Sequence, residues 1–140
     1  MDFPIYFSLE QARAVLPEVK IRVERVIRLN REIAILKSVK IDADEQTIQT
    51  ELALMELNKK YFKKMHLFYK EVADLTRIGI VLKDVNEGLV DFFSKLDDRD
   101  ILLCWKYGEK DINFWHEVDA GFAARKSIKL LENYKNRTKF

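Results

Sequence analysis

His116, Glu117 and Asp119 place an imidazole and two carboxylates within four consecutive positions. Such groups ligate divalent cations and transfer protons near neutral pH. Glu109 or Asp84 adds a carboxylate from a neighbouring loop. One histidine with two or three carboxylates is an oxygen-rich set, which suits Mn, Fe or Mg better than a structural zinc. In an extended strand His116 and Glu117 point to opposite faces, so both serve one cation only if the strand ends there. The spacing is not a recognised ligand motif. The competing reading is a structural histidine held by a nearby carboxylate or carbonyl.

Asp84 and Asp91 flank the turn at Gly88. If the segments around that turn pair as a hairpin, two close carboxylates share a proton or hold a cation. The plainer alternative is turn capping by Asp84 and a sheet-edge polar group at Asp91. Arg125 offers a planar fork to an anionic ligand, or a partner to Glu117 or Asp119. Trp105 and Trp115 suit a pocket or an interface, although at least one is expected in the core. Cys104 sits in an apolar run without an evident activating neighbour and reads as an inert buried thiol. The candidate ligand-binding set is therefore Asp84, Asp91, Trp105 and Arg125. The candidate metal set is Glu109, His116, Glu117 and Asp119, and a divalent metal is the one cofactor this suggests. No phosphate loop, Ser–His–Asp order, zinc knuckle or nucleotide fingerprint is present.

The elements that must position these groups follow from periodicity. Ser8 and Gln11 form a capping-box pattern at the start of a helix. Pro17 either kinks that helix or begins a new one. Apolar residues at helical spacing run from Val19 to Leu36. Residues 38–45 read as a loop, with Asp42 and Asp44 as candidate caps. A second helix spans about 46–77, its seam formed by Leu54, Tyr61, Met65, Phe68, Val72 and Leu75. Phe62 and Tyr69 widen that stripe beyond what a coiled-coil seam needs, so a further layer is expected to cover it. His66 falls beside the seam and reads as surface.

After Gly79 the period changes to short apolar, β-branched runs at 80–85, 89–93, 101–106 and 112–118. Turn residues at 86–88, 97–100 and 107–110 separate them. The expected fold is α+β, in one domain. A long antiparallel helical hairpin, about 8–78, packs on a small three- to four-stranded antiparallel sheet, about 80–118. A C-terminal loop, a short helix capped by Ser127 and a basic tail complete residues 119–140. The strands are apolar on both sides, so the sheet is expected to be covered twice. The helical hairpin is one cover. The C-terminal segment or a second subunit is the other, and a homodimer is expected.

Composition sets wider bounds. The chain has 140 residues, few glycines and prolines, and one cysteine, so no intrachain disulfide can form. No signal-peptide pattern and no apolar stretch of about 20 residues occurs, so no membrane partner and a cytoplasmic location are expected. Residues 121–140 carry six basic residues and one acid, while the rest of the chain is mildly acidic. A basic end alone, without an aromatic–basic platform, does not lead to an expectation of nucleic acid.

Four segments carry a resemblance. They are Phe-Ser-Leu-Glu-Gln-Ala-Arg-Ala-Val-Leu-Pro (7–17), Val-Leu-Lys-Asp (81–84) with Gly-Leu-Val-Asp-Phe (88–92), Leu-Cys-Trp-Lys-Tyr-Gly-Glu (103–109) and Phe-Trp-His-Glu-Val-Asp-Ala-Gly-Phe-Ala-Ala-Arg (114–125). In this order they resemble the domain-of-unknown-function 2203 family of small prokaryotic proteins. The chain departs from that pattern at Phe93, where proline is expected, and at Ala124, where glycine is expected. The resemblance implies no activity. The first functional expectation is a non-catalytic oligomeric interaction module. The alternative is a metal- or small-anion-binding protein, with or without enzymatic activity, built around His116 and neighbouring carboxylates.

Overall fold

Ser8 starts the first helix as its spacing with Gln11 predicts. The Ser8 hydroxyl accepts from the Gln11 amide at 3.0 Å, and the Gln11 side chain accepts from the Ser8 amide at 2.9 Å. The structure is a computed structural model that describes residues 3–39 and 47–132. Helix α1 spans Leu9–Ser38 and runs through Pro17 without ending. Pro17 lies on the exposed side, so the carbonyl that loses its donor need not be satisfied in the core. Leu9, Ala12, Leu16, Val19, Val23, Val26 and Ile27 recur at three- and four-residue steps and form the buried stripe.

Helix α2 spans Ile48–Arg77 and is capped by Thr47 in a reciprocal pair with Thr50. The candidate caps Asp42 and Asp44 lie outside the described residues. The two helices form the expected hairpin. Arg22 of α1 reaches both Glu71 and Asp74 of α2 at 3.1 Å, and Lys64 meets Glu32 at 2.7 Å.

The sheet has five antiparallel strands in the order β1-β2-β3-β4-β5, one more than the upper expectation. They are β1 (Ile80–Asp84), β2 (Leu89–Leu96), β3 (Arg99–Lys106), β4 (Phe114–Glu117) and β5 (Lys126–Ser127). The fifth strand is two residues long, too short to show a period, and its Ser127 also serves the next helix. Helix α3 (Lys129–Glu132) follows, with the Lys129 amide donating to the Ser127 hydroxyl at 3.3 Å. The expected helix beyond Glu132 and the basic end at Lys135, Arg137 and Lys139 lie outside the described residues.

The β2–β3 turn is tighter than the four-residue loop expected at 97–100. Asp97 and Asp98 take φ of 50° and 63°, as a two-residue hairpin of the primed type requires. Aspartate tolerates this region better than most side chains. Both strands therefore lengthen, and Leu96 pairs directly with Arg99.

One sheet face lies on the helices. Val90, Phe92, Ile101, Leu103, Trp105 and Trp115 join Leu16, Val19, Val23, Val26 and Leu75 in one core. Both tryptophans are thus core residues, and the Trp105 indole N–H donates to the Glu109 carbonyl at 2.9 Å. The opposite face carries Asp91, Leu102, Cys104 and His116, all buried. Arg125 lies on this face, 4.0 Å from the Phe114 ring centroid and 4.5 Å from that of Phe122. The C-terminal segment thus supplies cover within the same chain. Tyr6 bridges Phe93 beyond the end of β1, and the Phe93 carbonyl accepts from the Phe7 amide at 2.7 Å. Among the described residues no helix is long and apolar enough to cross a membrane.

Gly88 closes the β1–β2 turn at φ +66°, where an added Cβ would lie 2.6 Å from Tyr107 Cβ and 2.8 Å from Ile27 Cδ1. Gly88→Ala combines backbone strain with overpacking and should cost about 2 kcal/mol or more. Gly121 has open space around it, so Gly121→Ala should stay within about 0.5 kcal/mol of the wild type. Urea denaturation of the two variants checks both values. Equal stabilities would refute the packed turn.

Candidate functional site

Three adjacent strands bring Asp91, Cys104 and His116 together. Asp91 of β2 is the direct cross-strand partner of Cys104 in β3. His116 of β4 pairs with Leu102, two residues from Cys104 and on the same face. Asp91 is 1%, Cys104 0% and His116 3% exposed. One carboxylate oxygen, the thiol sulfur and one imidazole nitrogen lie within 4.8 Å of one another.

The hydrogen bonds assign the histidine's protons. His116 Nδ1 lies 2.8 Å from the Glu117 carbonyl oxygen. A carbonyl only accepts, so Nδ1 carries a hydrogen. His116 Nε2 lies 3.2 Å from Asp91 Oδ1. A hydrogen bond there requires one proton between them, on the carboxyl or on the ring. Burial pushes the Asp91 carboxyl above its ordinary pKa, and the charge and hydrogen bond of His116 offset part of that rise. Burial, reinforced by the negative charge of Asp91, pushes the Cys104 thiol up to about 12. As it stands Cys104 is therefore a protonated thiol and a poor nucleophile, as its apolar strand predicted.

The other candidates are held elsewhere. Asp84 Oδ1 accepts from the Glu87 amide at 2.9 Å and caps its own turn, away from the Asp91–His116 pair. Glu109 Oε1 accepts from the Lys106 amide and from Arg125 Nη2, both at 2.7 Å. Glu117 faces Arg99 at 2.9 Å and Lys126 at 3.7 Å, and reaches His116 only through its backbone carbonyl. Asp119 is exposed on the turn after β4 and stays out of the cluster. Of the expected metal set, only His116 enters the buried cluster. Asp91 joins it from the ligand-binding set, and Cys104 was outside both. Placing the β2–β3 turn at Asp97–Asp98 would have identified it, because a two-residue turn there sets Asp91 opposite Cys104.

A second feature lies on α2. The sheet was expected to cover the widened stripe, yet Leu75 is the only fully buried residue of this helix. Ile48, Met55, Phe62 and Tyr69 are 71%, 58%, 65% and 59% exposed. They recur every seven residues and so lie almost in line along the helix.

The model of a family described as "Uncharacterized conserved protein (DUF2203)" matches residues 5–128. The chain belongs to this family. The match takes in α1, α2, all five strands and the Asp91–Cys104–His116 cluster. No curated protein and no solved structure matches the chain significantly.

His116→Ala would remove the imidazole partner of the buried Asp91 carboxyl and should cost about 1–3 kcal/mol, measured by urea denaturation. The raised Asp91 pKa sets the sign of a pH effect in chelator-treated protein. The folded state keeps a proton that the unfolded carboxyl gives up near pH 4. This contribution is full below the unfolded value and is lost as pH rises through the folded one. The stability of the wild type relative to Asp91→Asn should therefore fall as pH rises from about 4. A relative stability that climbs with pH would contradict the buried pair.

Proposed function

We propose that the protein is a non-catalytic interaction module that works as a homodimer joined through the outer stripe of α2. The observation that carries this reading is the exposed seven-residue repeat of Ile48, Met55, Phe62 and Tyr69. Leu52, Lys59 and His66 lie four residues after the first three of these and complete an a/d-type seam. Phe68, Val72 and Leu75 pack into the chain's own core. The outer stripe lies roughly 100° further round the helix. A helix with two such faces suits a four-helix bundle made from two hairpins.

Charge favours an antiparallel pairing centred on residues 60–61. Leu52 then meets the partner's Tyr69, and His66 the partner's Met55. On the flank Glu56 meets the partner's Lys63, and the symmetry repeats that contact. Lys59 lies beside the partner's Phe62, where its stem and charge both find a partner. A parallel pairing instead sets Lys59 against the partner's Lys59 and Glu51 near the partner's Glu56. The polar groups of the sheet support the non-catalytic part of the reading. Asp84 caps a turn, and Glu109 holds both Arg125 and the Lys106 amide.

Light scattering should give a dimer at micromolar concentration. Phe62→Glu should weaken association about 30-fold or more, the ~2 kcal/mol of a central interface residue, with helicity unchanged. Glu56→Lys should also weaken it, and adding Lys63→Glu should restore it. A monomeric wild type overturns the dimer, and failure of the double exchange to restore association overturns the antiparallel register.

A further inference from the structure

The buried cluster has no role in the proposed dimer contact. We propose that Asp91, Cys104 and His116 form a three-ligand site for a thiophilic divalent cation, Zn(II) by its chemistry. The donor atoms come from three hydrogen-bonded strands, and the backbone register places them on one face. All three side chains are almost wholly buried, and their donor atoms lie within 4.8 Å of one another. Ligands of a tetrahedral zinc, with bonds of about 2.0–2.3 Å, lie roughly 3.3–3.7 Å apart. The 3.2 Å between His116 Nε2 and Asp91 Oδ1 is already close to that separation. Side-chain adjustment brings the sulfur into place.

The ring is also oriented as a ligand. Its Nδ1–H is held by the Glu117 carbonyl, so Nε2 is the nitrogen directed into the cluster. Metal-ligating histidines are commonly fixed in this way through the other nitrogen. The donor set revises the expectation from composition. Glu109, Glu117 and Asp119 would have made an oxygen-rich site for Mn, Fe or Mg. A thiolate, an imidazole and one carboxylate select zinc-like ions instead and leave a fourth position open.

Charge balances in both states. Without metal, the cluster holds the thiol proton and the one proton shared by Asp91 and His116, and is neutral overall. Binding expels both protons, and a dication with one thiolate and one carboxylate is again neutral. Neither state leaves a net charge buried in the sheet.

The experiment uses the full chain, treated with chelator and titrated with Co(II). Cys104 is the only cysteine, so any thiolate-to-cobalt charge-transfer band in the near ultraviolet reports on this residue alone. The expected result is saturation of that band at one equivalent, release of two protons and displacement of cobalt by Zn(II). Cys104→Ala, checked for folding by circular dichroism, should abolish the band. Asp91→Asn, which preserves size, should weaken cobalt binding by more than the roughly 10–100-fold lost with a partner that merely orients a ligand. No charge-transfer band in folded wild-type protein overturns the site. So does a band whose cobalt affinity is unchanged in Asp91→Asn and in His116→Gln.

Discussion

The pairing of β2 with β3 is the constraint on which the rest of the sheet depends. A two-residue turn at Asp97–Asp98 holds eight residues of each strand in one register. That register sends Val90, Phe92, Leu103 and Trp105 toward the helices and Asp91 and Cys104 to the opposite face. Side chains alternate along a strand, so a slip of one residue would exchange the two sets. It would move the largest core side chain away from the helices and bury a carboxyl against valine and leucine. Burial on both faces therefore leaves the register little freedom.

The two faces are stabilised in different ways. The helix side is closed by apolar contact with the stripe of α1, and α1 in turn carries α2 through Arg22, Glu71 and Asp74. The other side is closed from within the chain. Arg125 stacks on Phe114 and Phe122 and is anchored by Glu109, which also holds the turn after β3. Among the described residues, the cover on this side comes from the same chain. On α2, Ile48, Met55, Phe62 and Tyr69 remain exposed.

Much of the fold was legible along the chain. The Ser8 cap, the two helices, the change of period after Gly79 and the antiparallel sheet all arise from local preferences and spacing. The chain ran ahead of local signals at three places. Pro17 left a kink and a break both open, and α1 runs on through it. The Asp97–Asp98 turn was read two residues too long, because four consecutive charged residues hide which two take positive φ. The fifth strand is formed by pairing with β4, and two residues carry no period of their own.

The site was legible in composition but not in geometry. The sequence by itself determined that histidine, cysteine, carboxylates and tryptophans would gather in the region 84–125, and that strands would carry them. It also indicated that Cys104 would be buried, since the residues beside it in sequence are apolar. Only the tertiary structure decided which groups meet. Sequence proximity linked His116 to Glu117 and Asp119, but one residue projects toward the other face and the other lies out in solvent. Cross-strand pairing linked His116 to Asp91 and Cys104, 25 and 12 positions away. The physical reason is that strand neighbours are chosen by turn geometry and by burial of both faces, which no local stretch of sequence encodes.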